Sequence, residues 1–408
     1  MIFQSLFIEN WNQFDRVDIK LHPRLTVITG ANGAGKSTIL RIFSRLTGWS
    51  YTELASPSKT KTANGSNYIL SRRKKTDINV PAQTNIGNIR LANGSYITIN
   101  APNISEYVSY DINLSPMNLV KGFYVPSHRT PYSYKKISSI PVKAHTKSEA
   151  FYGFNASIMT RITGDYSEPP IQQMKSALIS LAIYGGGNDH VQPDSEALDL
   201  FLGFISILKK LLPPTLGFDK LRIQSGEVII ETASGDFLLD AVSGGIGSII
   251  DLAWQIYMFD TTKEEAYFVL IDEAENHLHA SMQRQLLPNL LNSFPNAQFI
   301  VSTHSPLMVN SVKDSSVYAL KYNEENAVIS EPLDFENKAA NASRILREVL
   351  GVPVTMPVWV EDSLNEIISK YRMVELTPES YTNLKFDLSE LGLADHLPQA
   401  LGMLQGDD

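Results

Sequence analysis

Apolar and polar positions alternate with a period of two over residues 3–11 and 16–21, the pattern of half-buried antiparallel strands. Residues 25–29 form a short apolar run that enters a glycine-rich stretch directly. Beyond it Ile39, Leu40, Phe43 and Leu46 recur at helical spacing, so strand, loop and helix follow one another without a gap. Residues 52–77 change character to Ser, Thr, Asn and Lys and contain Arg72-Arg73-Lys74-Lys75, which reads as an exposed insertion. A hairpin over residues 89–99 is expected to turn at Asn93-Gly94, which suits positive backbone angles. A buried strand at 120–125 ends at Pro126-Ser127-His128-Arg129.

Helical patterns occupy residues 148–212, clearest at 172–183 and 196–211. Strands return at 221–224 and 228–232 around a Ser225-Gly226 turn. A glycine cluster then leads into a helix at 247–259, an apolar strand at 266–271, a helix at 280–291 and a strand at 298–302. Residues 316–320 and 327–330 are expected as edge strands, with helices near 340–350 and 361–371. Strands alternating with helices give an α/β class with a mixed sheet. The expected division is an N-terminal lobe (1–145, with a polar and β insertion at 52–117), a helical subdomain (146–215), a C-terminal lobe (216–350) and a helical tail (351–408).

Composition narrows this reading. The chain has 408 residues and a formal net charge of -8, with 43% hydrophobic residues, enough for a real core and against wholesale disorder. With no cysteine, structural disulfides, thiolate zinc sites and cysteine nucleophiles are excluded. No apolar run reaches the roughly 18 to 20 residues of a membrane span, and the start lacks the marks of a signal peptide. A cytoplasmic protein without membrane contact is expected.

The candidate chemistry lies in four segments. Gly30-Ala31-Asn32-Gly33-Ala34-Gly35-Lys36-Ser37 fits the phosphate-loop pattern. Its backbone N–H groups, from Asn32 through Thr38, must turn inward around phosphates, which demands little side-chain bulk and permissive dihedrals. The following helix points its positive end at the same oxygens. Lys36 is expected on the β/γ-phosphates and the Ser37 hydroxyl on Mg²⁺. Second, an apolar strand delivers Asp272 and Glu273 at its carboxyl end, Asp272 for Mg²⁺ and Glu273 to polarise the attacking water. Third, Ser302-Thr303-His304-Ser305 places His304 at the end of a neighbouring strand, within reach of a γ-phosphate. Fourth, Ser243-Gly244-Gly245 at a helix start is a second anion site. One nucleotide needs two such sites only if they face each other across a dimer, so a homodimer or higher homo-oligomer sharing ATP sites is expected. Each segment also has a plainer reading: a chance match, a strand ending in solvated acids, a satisfied histidine, a glycine loop. Their order along one chain favours the functional one.

That order resembles the ABC-type ATPases of the SMC and RecF kind. The wording Ile271-Asp272-Glu273-Ala274-Glu275-Asn276-His277-Leu278-His279 resembles the overcoming-lysogenization-defect (OLD) ATPases and their relatives in antiphage systems, Septu, Gabija, PARIS and the retron-associated ATPases. The resemblance covers roughly residues 1–50 and 118–350. It implies a P-loop ABC-type ATPase head with an N-terminal antiparallel β subdomain, an inserted helical subdomain, and ATP and Mg²⁺ as cofactors. Where such ATPases carry a glutamine, this chain reads Tyr124-Val125-Pro126-Ser127-His128-Arg129, and the resemblance sets Arg129 or His128 near the nucleotide. Ile246 stands where a glutamine is usual, and Glu275, His277 and His279 serve either the dimer seam or a cap on the next helix. Val358-Trp359-Val360-Glu361-Asp362 resembles the start of the OLD nuclease domain, but a helical tail is the expected reading. The resemblance therefore implies an ATPase sensor or scaffold of an antiphage system with its effector, a nuclease or toxin, on a separate subunit. The alternative is a RecF- or SMC-like ATPase that clamps DNA, supported by Arg72 to Lys75, Arg129, Lys135 and Lys136.

Overall fold

A computed structural model describes residues 1–62, 65–69, 83–102, 104–105, 108–129, 131–164, 168–260, 265–334, 345–346, 358–372, 377–394 and 397–405. The basic cluster Arg72 to Lys75 and most of the helix expected at 340–350 lie outside them. The chain divides into two compact units, residues 1–342 and 343–408.

In the first unit β1 (Phe3–Trp11), β2 (Phe14–Lys20) and β3 (Leu25–Gly30) lead to α1 (Lys36–Ser44). Short strands β4 (Glu53–Leu54), β5 (Ser56–Thr62) and β6 (Gly65–Ile69) follow, then the hairpin β7 (Gln83–Leu91) and β8 (Tyr96–Pro102). Asn93 and Gly94 do form its turn, Gly94 at φ 86° and the Asn93 side chain accepting from the Ser95 N–H at 3.0 Å. Next come β9 (Ile104–Ser105), β10 (Ser109–Tyr110), β11 (Asn113–Ser115) and β12 (Gly122–Val125). Three helices, α2 (Lys147–Thr163), α3 (Pro170–Gly186) and α4 (Ser195–Leu211), pack in sequence. A small antiparallel sheet, β13 (Phe218–Gln224), β14 (Glu227–Thr232) and β15 (Phe237–Leu238), precedes α5 (Gly244–Phe259). The unit is completed by β16 (Tyr267–Ile271), α6 (Ala280–Ser293), β17 (Ala297–Ser302), α7 (Pro306–Val309), β18 (Ser316–Tyr322) and β19 (Val328–Pro332).

Eleven strands join in one mixed sheet, ordered β11-β8-β7-β1-β2-β19-β18-β3-β17-β16-β12. From β18 to β12 every pairing is parallel, whereas the other wing from β2 to β11 is antiparallel. The N-terminal antiparallel strands are thus continuous with the parallel core. Buried Gln298 on β17 reinforces this union. Its carbonyl oxygen accepts from the N–H groups of Ile2 and Phe3 at 2.8 and 2.9 Å, and its amide donates to the carbonyls of Phe3 and His22. Phe3 also packs between Phe43 of α1 and Phe268 of β16, with ring centroids 5.0 and 4.8 Å away.

One expectation needs correction. β18 and β19 are not edge strands: β18 pairs with β3 and β19 with β2, so together they bridge the parallel and antiparallel halves. Val317, Ala319, Leu320 and Val328 are buried, and each of the two strands is hydrogen-bonded on both sides.

The second unit, taken by itself, contains α8 (Val358–Tyr371), α9 (Pro378–Glu390) and α10 (Leu397–Gln405) around Val360, Leu364, Leu384, Leu388 and Ala400. Residues 358–362 lie within α8. Among the described residues no helix is long and apolar enough to cross a membrane.

Candidate functional site

The carboxyl ends of β3, β16, β17 and β12 converge on one place because these strands are parallel neighbours. β3 delivers the loop from Gly30 to Lys36. At Gly30 (φ 140°) a Cβ would stand 2.4 Å from the Leu320 carbonyl oxygen of β18, so only glycine admits the close strand pairing. Gly35 (φ 94°) is the N-cap of α1, and a Cβ there would meet Gln13 and the Phe14 ring at 2.5 Å. Asn32 and Gly33 are exposed, and Ala34 is fully buried as the anchor between them and α1. Lys36, 5% exposed, folds over its own loop and donates to the carbonyls of Gly30 and Ala31 at 2.9 and 3.0 Å. Burial lowers its pKa, against the pull of Glu273, Glu275 and Asp272.

Asp272 leaves the end of β16 buried and fully engaged. One oxygen accepts from Ser37 at 3.1 Å and from Ser302, and the other accepts from the Tyr124 hydroxyl at 3.1 Å. Burial and the adjoining Asp272 raise the Tyr124 phenol far above its ordinary range, so it stays a donor. Glu273 sits at φ 48°, a left-handed geometry uncommon for a residue with a side chain. Its N–H donates to Ser302 Oγ at 2.8 Å, and its carboxylate accepts from Asn276 Nδ2 at 2.8 Å. Next to this pair, the His304 N–H donates to Glu275 Oε1 at 2.5 Å. Burial first and Lys36 second lower the His304 pKa, which keeps the imidazole neutral near pH 7.

After β12 the two alternatives for the missing glutamine separate. Both line one cavity, but His128 is exposed and contacts only Ser127 Oγ among the described hydrogen bonds, whereas Arg129 has buried guanidinium nitrogens. That cavity holds about 700 Å³ and includes Ser37, Tyr124, Arg129, Asp251, Asp272 and Glu273 in its lining. Arg129 Nη1 donates to the Asn276 carbonyl at 3.4 Å, while its buried Nε and Nη2 find no hydrogen-bond partner in the protein. Burial pushes its pKa down to about 10. Asp251 of α5 accepts from Tyr132 at 2.6 Å, and burial pushes its carboxyl up to about 7.

Ser243, Gly244 and Gly245 are elsewhere. They line a second cavity of about 630 Å³ that shares no lining residue with the first. Within one chain, therefore, the structure does not bring this turn to Lys36. Ser243 is the N-cap of α5 but makes no side-chain capping bond. A Cβ on Gly245 would stand 2.7 Å from the His277 carbonyl oxygen, and the His277 ring lies beside Gly244. Of the polar residues after the acidic pair, His279 is a cap: it is the N-cap of α6, and its ring accepts from the Ser281 N–H at 3.4 Å.

Sequence reasoning passed over several participants. Ser302 ends β17 and Asn276 lies in the turn after β16, and their polarity beside the acidic pair and the His304 segment was the available signal. Lys175 of α3 had none. It is fully buried and donates to Asp240 at 2.5 Å, Glu227 at 2.7 Å and the Lys135 carbonyl at 2.8 Å, three residues before Ser243 in the case of Asp240. For a divalent cation, the meeting of Ser37 and Asp272 oxygens supplies hard donors of the kind Mg²⁺ prefers. Among the described residues no group of three or more His, Cys, Asp or Glu side chains forms a metal site of its own.

Comparison with known proteins agrees with this geometry. Residues 5–120 match a family model described as an AAA domain, and residues 201–310 match one described as an AAA domain, putative AbiEii toxin, Type IV TA system. The Septu protein PtuA of Bacillus thuringiensis is 23% identical over 384 residues, covering 88% of this chain and 87% of that protein. The Septu protein PtuA of Bacillus mycoides (strain KBAB4) is 32% identical over 171 residues, 40% of this chain but only 23% of that protein. The retron Ec83 probable ATPase of Escherichia coli is 26% identical over 166 residues, covering 38% of this chain and 29% of that protein. The chain thus spans most of one of these relatives and less than a third of the other two. Septu and retron-associated proteins are among the relatives that its motifs resemble, and the retron protein is described as a probable ATPase.

Proposed function

We propose that the chain binds and hydrolyses Mg-ATP as a homodimer or higher homo-oligomer, in which each nucleotide lies between the loop of one subunit and the Ser243 turn of another. One observation carries this reading: Ser37, next to Lys36 on the loop, lines one cavity together with Asp272 and Glu273, while Ser243, Gly244 and Gly245 open a different one in the same chain. In the ATP-bound state Lys36 exchanges its loop carbonyls for β/γ-phosphate oxygens. The N–H groups of residues 32–38 line the phosphates, and Ser37 and Asp272 hold Mg²⁺, which withdraws charge from the phosphates. Glu273 accepts a proton from the attacking water, and neutral His304 donates toward the γ-phosphate. Arg129, with two unsatisfied buried nitrogens beside Glu273's cavity, supplies the further cationic contact. The first unit then comprises two ATPase lobes separated by the helical segment α2 to α4.

The match along most of a Septu protein, together with the retron ATPase, supports a place in antiphage defence, where this ATPase acts as sensor or scaffold for a separate effector, a nuclease or toxin. The decisive experiment is Glu273→Gln. It is expected to keep ATP, lose hydrolysis by about 100-fold or more and sediment as an ATP-dependent dimer. Parental hydrolysis by Glu273→Gln, or ATP bound with no change in sedimentation, overturns the reading.

A further inference from the structure

Asn276 lies three residues after Glu273 on the turn that follows β16. Its side-chain amide has two N–H groups, and both are spent: one on Glu273 Oε2 at 2.8 Å, the other on the Ser127 carbonyl at 3.1 Å. Its main chain is held as well. The Asn276 N–H donates to the Glu273 carbonyl at 3.0 Å, and the Asn276 carbonyl accepts from Arg129 at 3.4 Å. The loop on the other side is itself fixed to the strand carrying the acidic pair, since β12 runs parallel to β16 and the Asp272 N–H donates to the Val125 carbonyl at 3.0 Å. A flexible glutamate at a left-handed backbone position thus has one carboxylate oxygen tied, through a single carboxamide, to a rigid neighbouring loop.

We infer that Asn276 is a positioning residue for hydrolysis: it orients the Glu273 carboxylate by tethering it to the loop that begins at Ser127. The inference rests on the reading of Glu273 as the group that activates water. With one oxygen occupied by Asn276, the other is left to accept the proton, and the carboxylate keeps one rotamer instead of several. Misplacement of a reacting group by about 1 Å costs on the order of 100-fold in rate, so losing the tether affects turnover rather than nucleotide affinity. An amide is also the side chain that performs this task without adding charge next to a carboxylate.

The test compares Asn276→Ala and Asn276→Asp in the full chain by steady-state ATPase kinetics, equilibrium binding of a fluorescent ATP analogue, and circular dichroism melting. Asn276→Ala is expected to lower kcat about 10- to 100-fold with KM and ATP affinity within about twofold. Asn276→Asp keeps the shape of the side chain but sets a second carboxylate against the first, and like-charge repulsion turns Glu273 away, so kcat falls at least as far as in Asn276→Ala with KM again within about twofold. A role confined to shaping the turn would lower the melting temperature in both variants and change KM and ATP affinity together with kcat, which overturns the inference. Parental kcat in both variants, or a raised KM with kcat unchanged, also overturns it. Should Asn276→Ala not fold, the near-isosteric Asn276→Asp decides alone. The Glu273→Gln control separates the two levels: inactive Glu273→Gln beside parental Asn276 variants rejects only the tether, whereas active Glu273→Gln rejects the water-activating role on which the tether depends.

Discussion

The loop around Lys36 and the turn at Ser243 are made of similar material, small residues ahead of a helix, yet they are held in different ways. The loop is anchored by its own neighbours. Lys36 bonds to carbonyls five and six residues back, Gly35 fits against Phe14, and Ser37 meets the carboxylate of an adjacent strand. The turn is held from a distance. Lys175, on a helix 65 residues earlier, locks Asp240 just ahead of it, and the His277 main chain presses against Gly245 from the far side. A loop fixed by parallel strands can wait for its ligand in place. A turn suspended between a helical lobe and the segment after Glu273 takes its position from both.

The sharpest way to break this comparison is Lys175→Met. Removing the cation leaves buried Asp240 with uncompensated charge beside half-buried Glu227, a loss of about 3 to 5 kcal/mol of stability by chemical denaturation. Folded Lys175→Met at low temperature should bind ATP as a monomer with near-parental affinity but associate poorly. Loss of monomer ATP binding instead would mean that the turn and the loop are not separately held. Lys36→Ala is the reciprocal lesion, expected to weaken ATP binding about 100-fold, read by fluorescence titration, from loss of a charge-assisted contact to the phosphates. A smaller effect belongs to Gly245→Ala, whose methyl group must displace the His277 carbonyl. ATP affinity of the monomer should stay unchanged while ATP-driven dimerisation falls about tenfold, and equal dimerisation in sedimentation would remove the turn from the interface.

The mildest effect concerns Asp251, whose carboxyl rises from an ordinary 3.8 to about 7 through burial. The folded chain then binds a proton more readily than the unfolded one. This contribution to stability is present below about pH 4 and is lost as pH climbs toward 7. Asp251→Asn should flatten the melting temperature between pH 4 and 7 and melt above the parent at pH 8. An unchanged pH slope would show that the carboxyl is not held neutral.

Much of the loop side was legible in the sequence because its geometry is local. Glycines at fixed spacing, a strand before and a helix after define where Lys36 and Ser37 stand, and an apolar run ending in Asp272 and Glu273 marks the neighbouring strand end. The turns at Asn93-Gly94 and Ser225-Gly226 were visible for the same reason. What escaped depends on partners far apart in the chain. β18 and β19 read as edge strands because nothing in their short apolar pattern tells that β2 and β3 flank them. Lys175 is one lysine in a helix until Asp240 and Glu227 are folded against it. Arg129 and His128 are adjacent in sequence and line the same cavity, and only the fold after β12 buries the guanidinium nitrogens of one while leaving the other exposed.

The ammonium of Lys36 closes its own loop through two main-chain oxygens. The customary lysine knockout at such a position is consequently a double lesion, since it deletes a ligand contact and also the clasp that shapes the receptacle. A melting curve recorded without nucleotide reports the second injury by itself, and its size tells how much of any lost affinity is owed to a collapsed receptacle.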